Sequence, residues 1–129
     1  MTQAVGIDVV DLDRFKTAVE RWGDRLLERI LTPAEIEHCR GKAVALPSMA
    51  VRFAAKEAFI KCLDPEQYRL FTWQRVQVVN AETGKPSLKL HGPLADCLAR
   101  FRILVSLSHS DHSAVAVVIL DAPDADKKP

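Results

Sequence analysis

The sequence predicts an α+β fold in which an antiparallel sheet packs against one long central helix. Three observations lead there. Segments rich in Val and Ile lie near both ends of the chain, at 4–10 and 103–120, the second interrupted by a polar turn near Ser110-Asp111-His112. Between them, residues 49–63 present apolar side chains on almost every side when placed at about 100° per residue, the pattern of a buried helix. Helical patterns cluster in the first half of the chain and strand patterns in the second, rather than alternating.

The elements follow in order. Ala4-Val-Gly-Ile-Asp-Val-Val10 predicts a strand. Its alternation places Gly6, Asp8 and Val10 on one face and Val5, Ile7 and Val9 on the other. A helix follows over 12–22 and breaks at Trp22-Gly23, and a second helical piece runs to Ile30. Thr32 and Glu35 form a capping box with Pro33 at the first helical position, opening a helix that ends near Arg40 and Gly41. Pro47-Ser48 leads into the central helix. Strands are expected over 73–80 and 86–90, a short helix over 92–101, and a hairpin at the end. One domain spans 1–120. The tail 121–129, with two Pro, three Asp and two Lys, is expected to be loosely ordered.

Composition narrows the class. The 129 residues, 48% of them hydrophobic, suit one domain with its own core. A net charge of +1 gives no bulk electrostatic case for nucleic acid. Cys39, Cys62 and Cys97 are far apart and show no zinc spacing, so a reduced, cytoplasmic setting is expected. Neither a signal peptide nor a membrane-spanning run is read from the sequence.

Acidic residues in apolar settings mark the candidate site. Glu57 lies between Phe53 and Ala50 on the central helix, with Lys61 one turn later. A carboxylate there is costly unless a cation or hydrogen bonds meet it. Glu57 is therefore half of a buried ion pair, an ordinary pair with Lys61 at i, i+4, or a ligand for a metal or substrate. Asp8 is a second acid in an unusual place, since Asp is depleted in strands. Asp11 and Asp13 follow, one of them a candidate helix cap. Ser108-His109-Ser110 ends the first strand of the hairpin and offers hydroxyls and an imidazole to an anion.

Taken together, Gly6-Ile-Asp8 through Asp13-Arg14-Phe15, Leu31-Thr32-x-x-Glu35, Arg52-Phe-Ala-Ala-Lys56-Glu57-Ala-Phe-x-Lys61, Gly84-Lys85-Pro86 and Val105-Ser-Leu-Ser-His109-Ser110 resemble holo-acyl-carrier-protein synthase, the small single-domain branch of the 4′-phosphopantetheinyl transferases. The match runs from about residue 4 to 120, in the family's order. It implies transfer of 4′-phosphopantetheine from coenzyme A to a serine of an acyl carrier protein, with Mg²⁺, by a homotrimer with active sites between subunits. On that resemblance Asp8 and Glu57 are metal ligands, and Asp8, Glu57 and Lys61 are catalytic. Arg52, Lys61, Gly84, Lys85, Pro86, Ser108, His109 and Ser110 would hold coenzyme A. Arg14, Arg21 and Arg25 would receive the acidic carrier protein. Two departures stand out. Val51 replaces the Gly that usually precedes Arg-Phe, and the stretch from Leu63 to Arg69 lacks the Gly of the family's loop. Two other classes compete: a metal-dependent nuclease or phosphatase with an RNase H-like Gly-x-Asp start, and a non-catalytic module that binds a carrier protein.

Overall fold

The computed structural model describes residues 1–123. Strand β1 (Thr2–Asp11) is followed by helices α1 (Leu12–Trp22), α2 (Asp24–Ile30), α3 (Pro33–Arg40), α4 (Ala45–Ile60) and α5 (Pro65–Arg69). Strands β2 (Val76–Asn80) and β3 (Pro86–Leu90), helix α6 (Gly92–Cys97) and the hairpin β4 (Arg102–His109) and β5 (Ser113–Asp121) complete the chain. One antiparallel sheet has the order β1-β5-β4, so the first and last strands are hydrogen-bonded neighbours. A separate antiparallel ribbon joins β2 to β3.

Helix α4 packs across the inner face of β1 and β5. Ala50, Ala54 and Ala58, each one turn from the next, are fully buried, as are Ala114 and Ala116 of β5. Such small side chains let the backbones approach closely. At Gly6 the approach is so near that a Cβ would run into the carbonyl oxygen of Ala58. The expected strand alternation therefore appears with a direction. Gly6 and Val10 are buried and Asp8 half-buried beneath α4, while Val5, Ile7 and Val9 face outward.

Several boundaries differ from the sequence reading. Helix α4 starts at Ala45, and Pro47 sits inside its first turn, where a missing N–H costs no intrahelical bond. The Gly-less stretch after Leu63, whose shape the sequence left open, holds α5, opened by an Asp64–Gln67 capping box with Pro65 at the helix start. Residues 73–75 form a 3₁₀ turn ahead of β2, and α6 ends at Cys97 rather than near 101. Asp121 ends β5 and Ala122 is buried, so these two residues belong to the folded unit; the rest of the expected loose tail, 124–129, lies outside the described residues.

Candidate active site

Asp8 and Glu57 come together, as the sequence suggested, because Gly6 lets β1 lie directly against α4. They line a cleft of about 510 Å³ whose other walls include Arg14, Phe15, Leu26 and Phe53. Asp11 lies on its rim and caps α1, its Oδ1 accepting from the Arg14 amide at 2.9 Å. Glu57 is not paired with Lys61. Lys61, the C-cap of α4, donates from Nζ to Asp8 Oδ1 at 3.1 Å and to the Ile7 carbonyl at 2.7 Å. Partial burial, then the neighbouring Asp8 charge, push the Glu57 carboxyl above its ordinary pKa, and Lys61 opposes the shift. Two mutually repelling carboxylates, one of them raised in proton affinity, leave a need for positive charge between them.

The buried ion pair that the sequence offered for Glu57 exists one residue earlier. Lys56, with no solvent exposure, donates from Nζ to Glu35 Oε1 at 2.6 Å and to the carbonyls of Ile30 and Trp73 at 2.9 and 3.0 Å. Glu35 also accepts from the amides of Thr32 and Val78. Burial pulls the Lys56 pKa down while Glu35 holds it up. Every hydrogen of the ammonium has an acceptor, so the pair ties α2, α3, α4 and β2 together.

A second cavity, of about 420 Å³, opens on another side of α4. His38, Lys42, Arg52, Asn80 and His109 line it, with no carboxylate among its lining residues. Arg52 is 4% exposed. Its Nη1 donates to the Ser48 carbonyl and hydroxyl at 3.0 and 2.8 Å, and its Nη2 to Asn80 Oδ1. Its Nε is buried and has no partner. An unpaired charged donor in such a place is expensive. Asn80 Nδ2 donates to the Gly84 carbonyl at 3.1 Å, which fixes the Gly84-Lys85-Pro86 turn against the same wall. Gly84 has φ 88°, a conformation that favours glycine, and Lys85 is exposed.

Of Ser108, His109 and Ser110, only His109 lines this cavity. Strand alternation turns Ser108 to the opposite face of the sheet, and the Ser110 hydroxyl is taken up by the turn, accepting from the amides of His112 and Ser113 at 3.2 Å. His38, Lys42 and Asn80 had no signal in the sequence, since each reaches the cavity only through the packing of α3 and β2 on α4. The basic residues of α1 and α2 are exposed, but not on one continuous helix. Gly23, at φ 59°, separates α1 from α2, so Arg21 stacks over Trp22 at 5.0 Å while Arg25 joins Trp22, Leu26 and Arg29 around a separate hollow. Arg14 borders the acidic cleft itself.

Comparison with known proteins bears on these arrangements. A family model described as the 4′-phosphopantetheinyl transferase superfamily matches residues 4–118. The holo-[acyl-carrier-protein] synthase of Geobacter sulfurreducens is 48% identical over 126 residues, covering 95% of this chain and 100% of that protein. That of Geobacter metallireducens is 43% identical, covering 94% and 98%. Among solved structures, a holo-(acyl-carrier-protein) synthase from Bacillus anthracis in complex with CoA (3′,5′-ADP) superposes with a TM-score of 0.79 at 30% identity, covering 95% and 99%. The Neisseria meningitidis enzyme gives 0.80 at 26% identity, covering 94% and 99%. On the matched span, its fold and the acidic cleft between β1 and α4, the chain belongs to the 4′-phosphopantetheinyl transferase superfamily.

Proposed function

We propose that this protein transfers the 4′-phosphopantetheine group of coenzyme A to a serine of an apo acyl carrier protein, releasing adenosine 3′,5′-bisphosphate. The observation that carries the reading is the near full-length match to holo-[acyl-carrier-protein] synthases at up to 48% identity, with their chemistry available in the Asp8–Glu57–Lys61 cluster. The serine oxygen attacks the β-phosphorus of the pyrophosphate, and the bond to the departing adenosine bisphosphate breaks.

Asp8 and Glu57 suit Mg²⁺, a hard ion that takes one or two carboxylates and keeps several waters. The raised proton affinity of Glu57 beside Asp8 marks a place where a divalent cation relieves repulsion. When bound, the ion neutralises charge on the pyrophosphate. Lys61 sets the Asp8 carboxylate in place and brings positive charge, or a path for the serine proton, to the same point. Arg14, at the cleft's edge, receives the acidic carrier protein, with Arg21 and Arg25 farther along the surface.

Coenzyme A carries a second anion, the ribose phosphate monoester, remote from the reacting bond. The cavity around Arg52 and His109 suits it, and the Gly84-Lys85-Pro86 turn is tied to its wall through the Asn80–Gly84 hydrogen bond. Arg52 and Glu57 are five residues apart on α4, hence about 140° apart around its axis. A coenzyme A molecule held between two copies of the chain would meet one of these sites on each. The outer sheet face supports a homotrimer. Val5 and Ile119, Ile7 and Val117, and Val9 and Val115 pair across β1 and β5, and Val5, Ile7 and Val9 are 57%, 58% and 62% exposed.

The free thiols, Cys39 and Cys62 buried and Cys97 exposed, are in keeping with a reducing cytoplasm. No helix among the described residues is long and apolar enough to cross a membrane. The nuclease reading needs further carboxylates, yet among the described residues no three His, Cys, Asp or Glu side chains gather as a metal site.

Incubation with coenzyme A, Mg²⁺ and an apo carrier protein, followed by intact mass, tests the reading. A gain of one phosphopantetheine on the carrier is expected. A carrier that is bound but unmodified would leave only a binding module.

A further inference from the structure

His38 belongs to no motif of the sequence, yet it is exposed on α3 and faces the cationic cavity. The groups around it come from every element that closes the cavity. Arg52 lies on α4, Lys42 in the segment after α3, His109 at the end of β4, and the uncharged Asn80 on β2. No carboxylate joins them in the lining. The acids of α3 point elsewhere: Glu35 is buried against Lys56, and Glu37 borders a different hollow. An imidazole in such company has cations for neighbours and nothing to balance a charge of its own.

We propose that His38 couples coenzyme A binding to proton uptake, standing neutral in the free protein and taking a proton from solvent as the phosphate monoester enters the cavity. The inference rests on the transferase reading, and concerns affinity rather than the bond that breaks. Partial burial, followed by the charges of Arg52 and Lys42, holds His38 below its ordinary pKa. A phosphate monoester carries close to two negative charges at neutral pH. Set beside Arg52 and Lys42, it offsets their repulsion and adds an attraction of its own for an imidazolium. Nothing covalent changes at His38: one proton moves from water to the ring, and the ring gains a charge-assisted hydrogen bond to the phosphate. His38 thus sets how firmly the far end of coenzyme A is held, which places its effect on KM and not on kcat.

Titration calorimetry of the full chain with coenzyme A and Mg²⁺, in two buffers of different ionisation enthalpy, reads the proton directly. At neutral pH the protein should take up about half a proton per coenzyme A bound. Dephospho-coenzyme A, which lacks the monoester, should bind with little uptake. His38→Gln should remove most of the uptake and flatten the tightening of coenzyme A binding, about three- to tenfold, between pH 8 and 6.5. His38→Lys should bind as tightly as the parent at pH 6.5 with no uptake, because its charge is already present. Uptake unchanged in His38→Gln, or lost only in His109→Gln, would overturn the role of His38 while leaving the transferase intact. No binding of coenzyme A by the parent would overturn the transferase reading itself.

Discussion

Lys56 Nζ lies 2.6 Å from Glu35 Oε1, and neither side chain has any exposure. The pair resides where α3 and α4 cross, one helical position from Glu57 but turned into the core. The sequence Lys56-Glu57 thus divides two tasks on one helix. Lys56 fastens the scaffold, and Glu57 faces the cleft.

Replacing Lys56 by Met should cost about 3–5 kcal/mol, because Glu35 is left buried without its cation. Urea denaturation measures it. Glu35→Gln should cost a similar amount, and the double variant less than the sum, since neither then strands a charge. A loss in Lys56→Met below about 1 kcal/mol, the size of an exposed pair, would show that the ion pair is not structural.

Much of this was legible in the residues. Gly6 and Asp8 share a strand face by simple alternation, and the capping box at Thr32 and Glu35 formed as read, with Pro33 at the helix start. The pairing of Glu35 with Lys56 was not legible, because 21 residues separate them and only the crossing of α3 with α4 joins them. Helix α5 has its signal in the residues as well: Asp64-Pro65-x-Gln67 is the same capping pattern as Thr32-Pro33-x-Glu35. The cavity of His38, Lys42 and Asn80 depends on three elements meeting side by side, which no local pattern encodes. Ser108 and His109 point to opposite faces of the sheet, so only His109 reaches the Arg52 cavity of its own chain. Alternation sends His109 inward and Ser108 out, and the sequence alone does not say which side of β4 faces α4.

Gly6→Ala should separate the two carboxylates without touching either. The new Cβ meets the Ala58 carbonyl, a backbone atom that cannot swing aside, so β1 must move off α4. A loss of roughly 1–3 kcal/mol is expected from such overpacking, with Mg²⁺ affinity falling as Asp8 is displaced. Isothermal titration with Mg²⁺, beside a denaturant melt, checks both. Wild-type metal affinity in a folded Gly6→Ala protein would show that the close approach does not set the site.

Glu57 should weaken the metal-free protein and be needed for the metal. Its folded pKa lies above the unfolded one, so its favourable contribution is present at low pH and lost as pH rises through the folded value. At neutral pH the ionised group therefore costs stability. Glu57→Gln should melt about 1–3 °C higher in EDTA, a small rise because the group is partly solvated. The same variant should lose the Mg²⁺-induced rise in Tm that the parent shows, and in the parent that rise should fade as pH drops and protons compete for Glu57. A Glu57→Gln protein that still responds to Mg²⁺ would remove Glu57 from the metal site.

Arg14 borders the acidic cleft and is exposed, whereas Arg21 and Arg25 lie on either side of the Gly23 break. Arg14→Glu should therefore weaken carrier-protein binding and flatten its salt dependence more than Arg21→Glu or Arg25→Glu does. Coenzyme A binding should be untouched. Surface plasmon resonance at several ionic strengths separates the three. Equal losses from all of them would mean diffuse attraction to a basic patch rather than docking at the cleft.

Ile7 touches both the outer sheet face and the edge of the acidic cleft. Its side chain is 58% exposed on the outer sheet face, opposite Val117 of β5, while its carbonyl accepts from Lys61 beside the acidic cleft. Ile7→Lys alters only the outward side chain, so the protomer should keep its circular dichroism and its inner core. Sedimentation should show the parent at three times the 14.4 kDa chain mass and the variant as a monomer, since a charge buried in an apolar interface is costly. If, as proposed, coenzyme A is shared between two copies of the chain, the variant should also lose coenzyme A affinity although it alters neither the acidic cleft nor the Arg52 cavity. A trimeric Ile7→Lys protein would place the interface elsewhere. A monomeric variant with parental coenzyme A affinity would show that one chain holds the whole ligand.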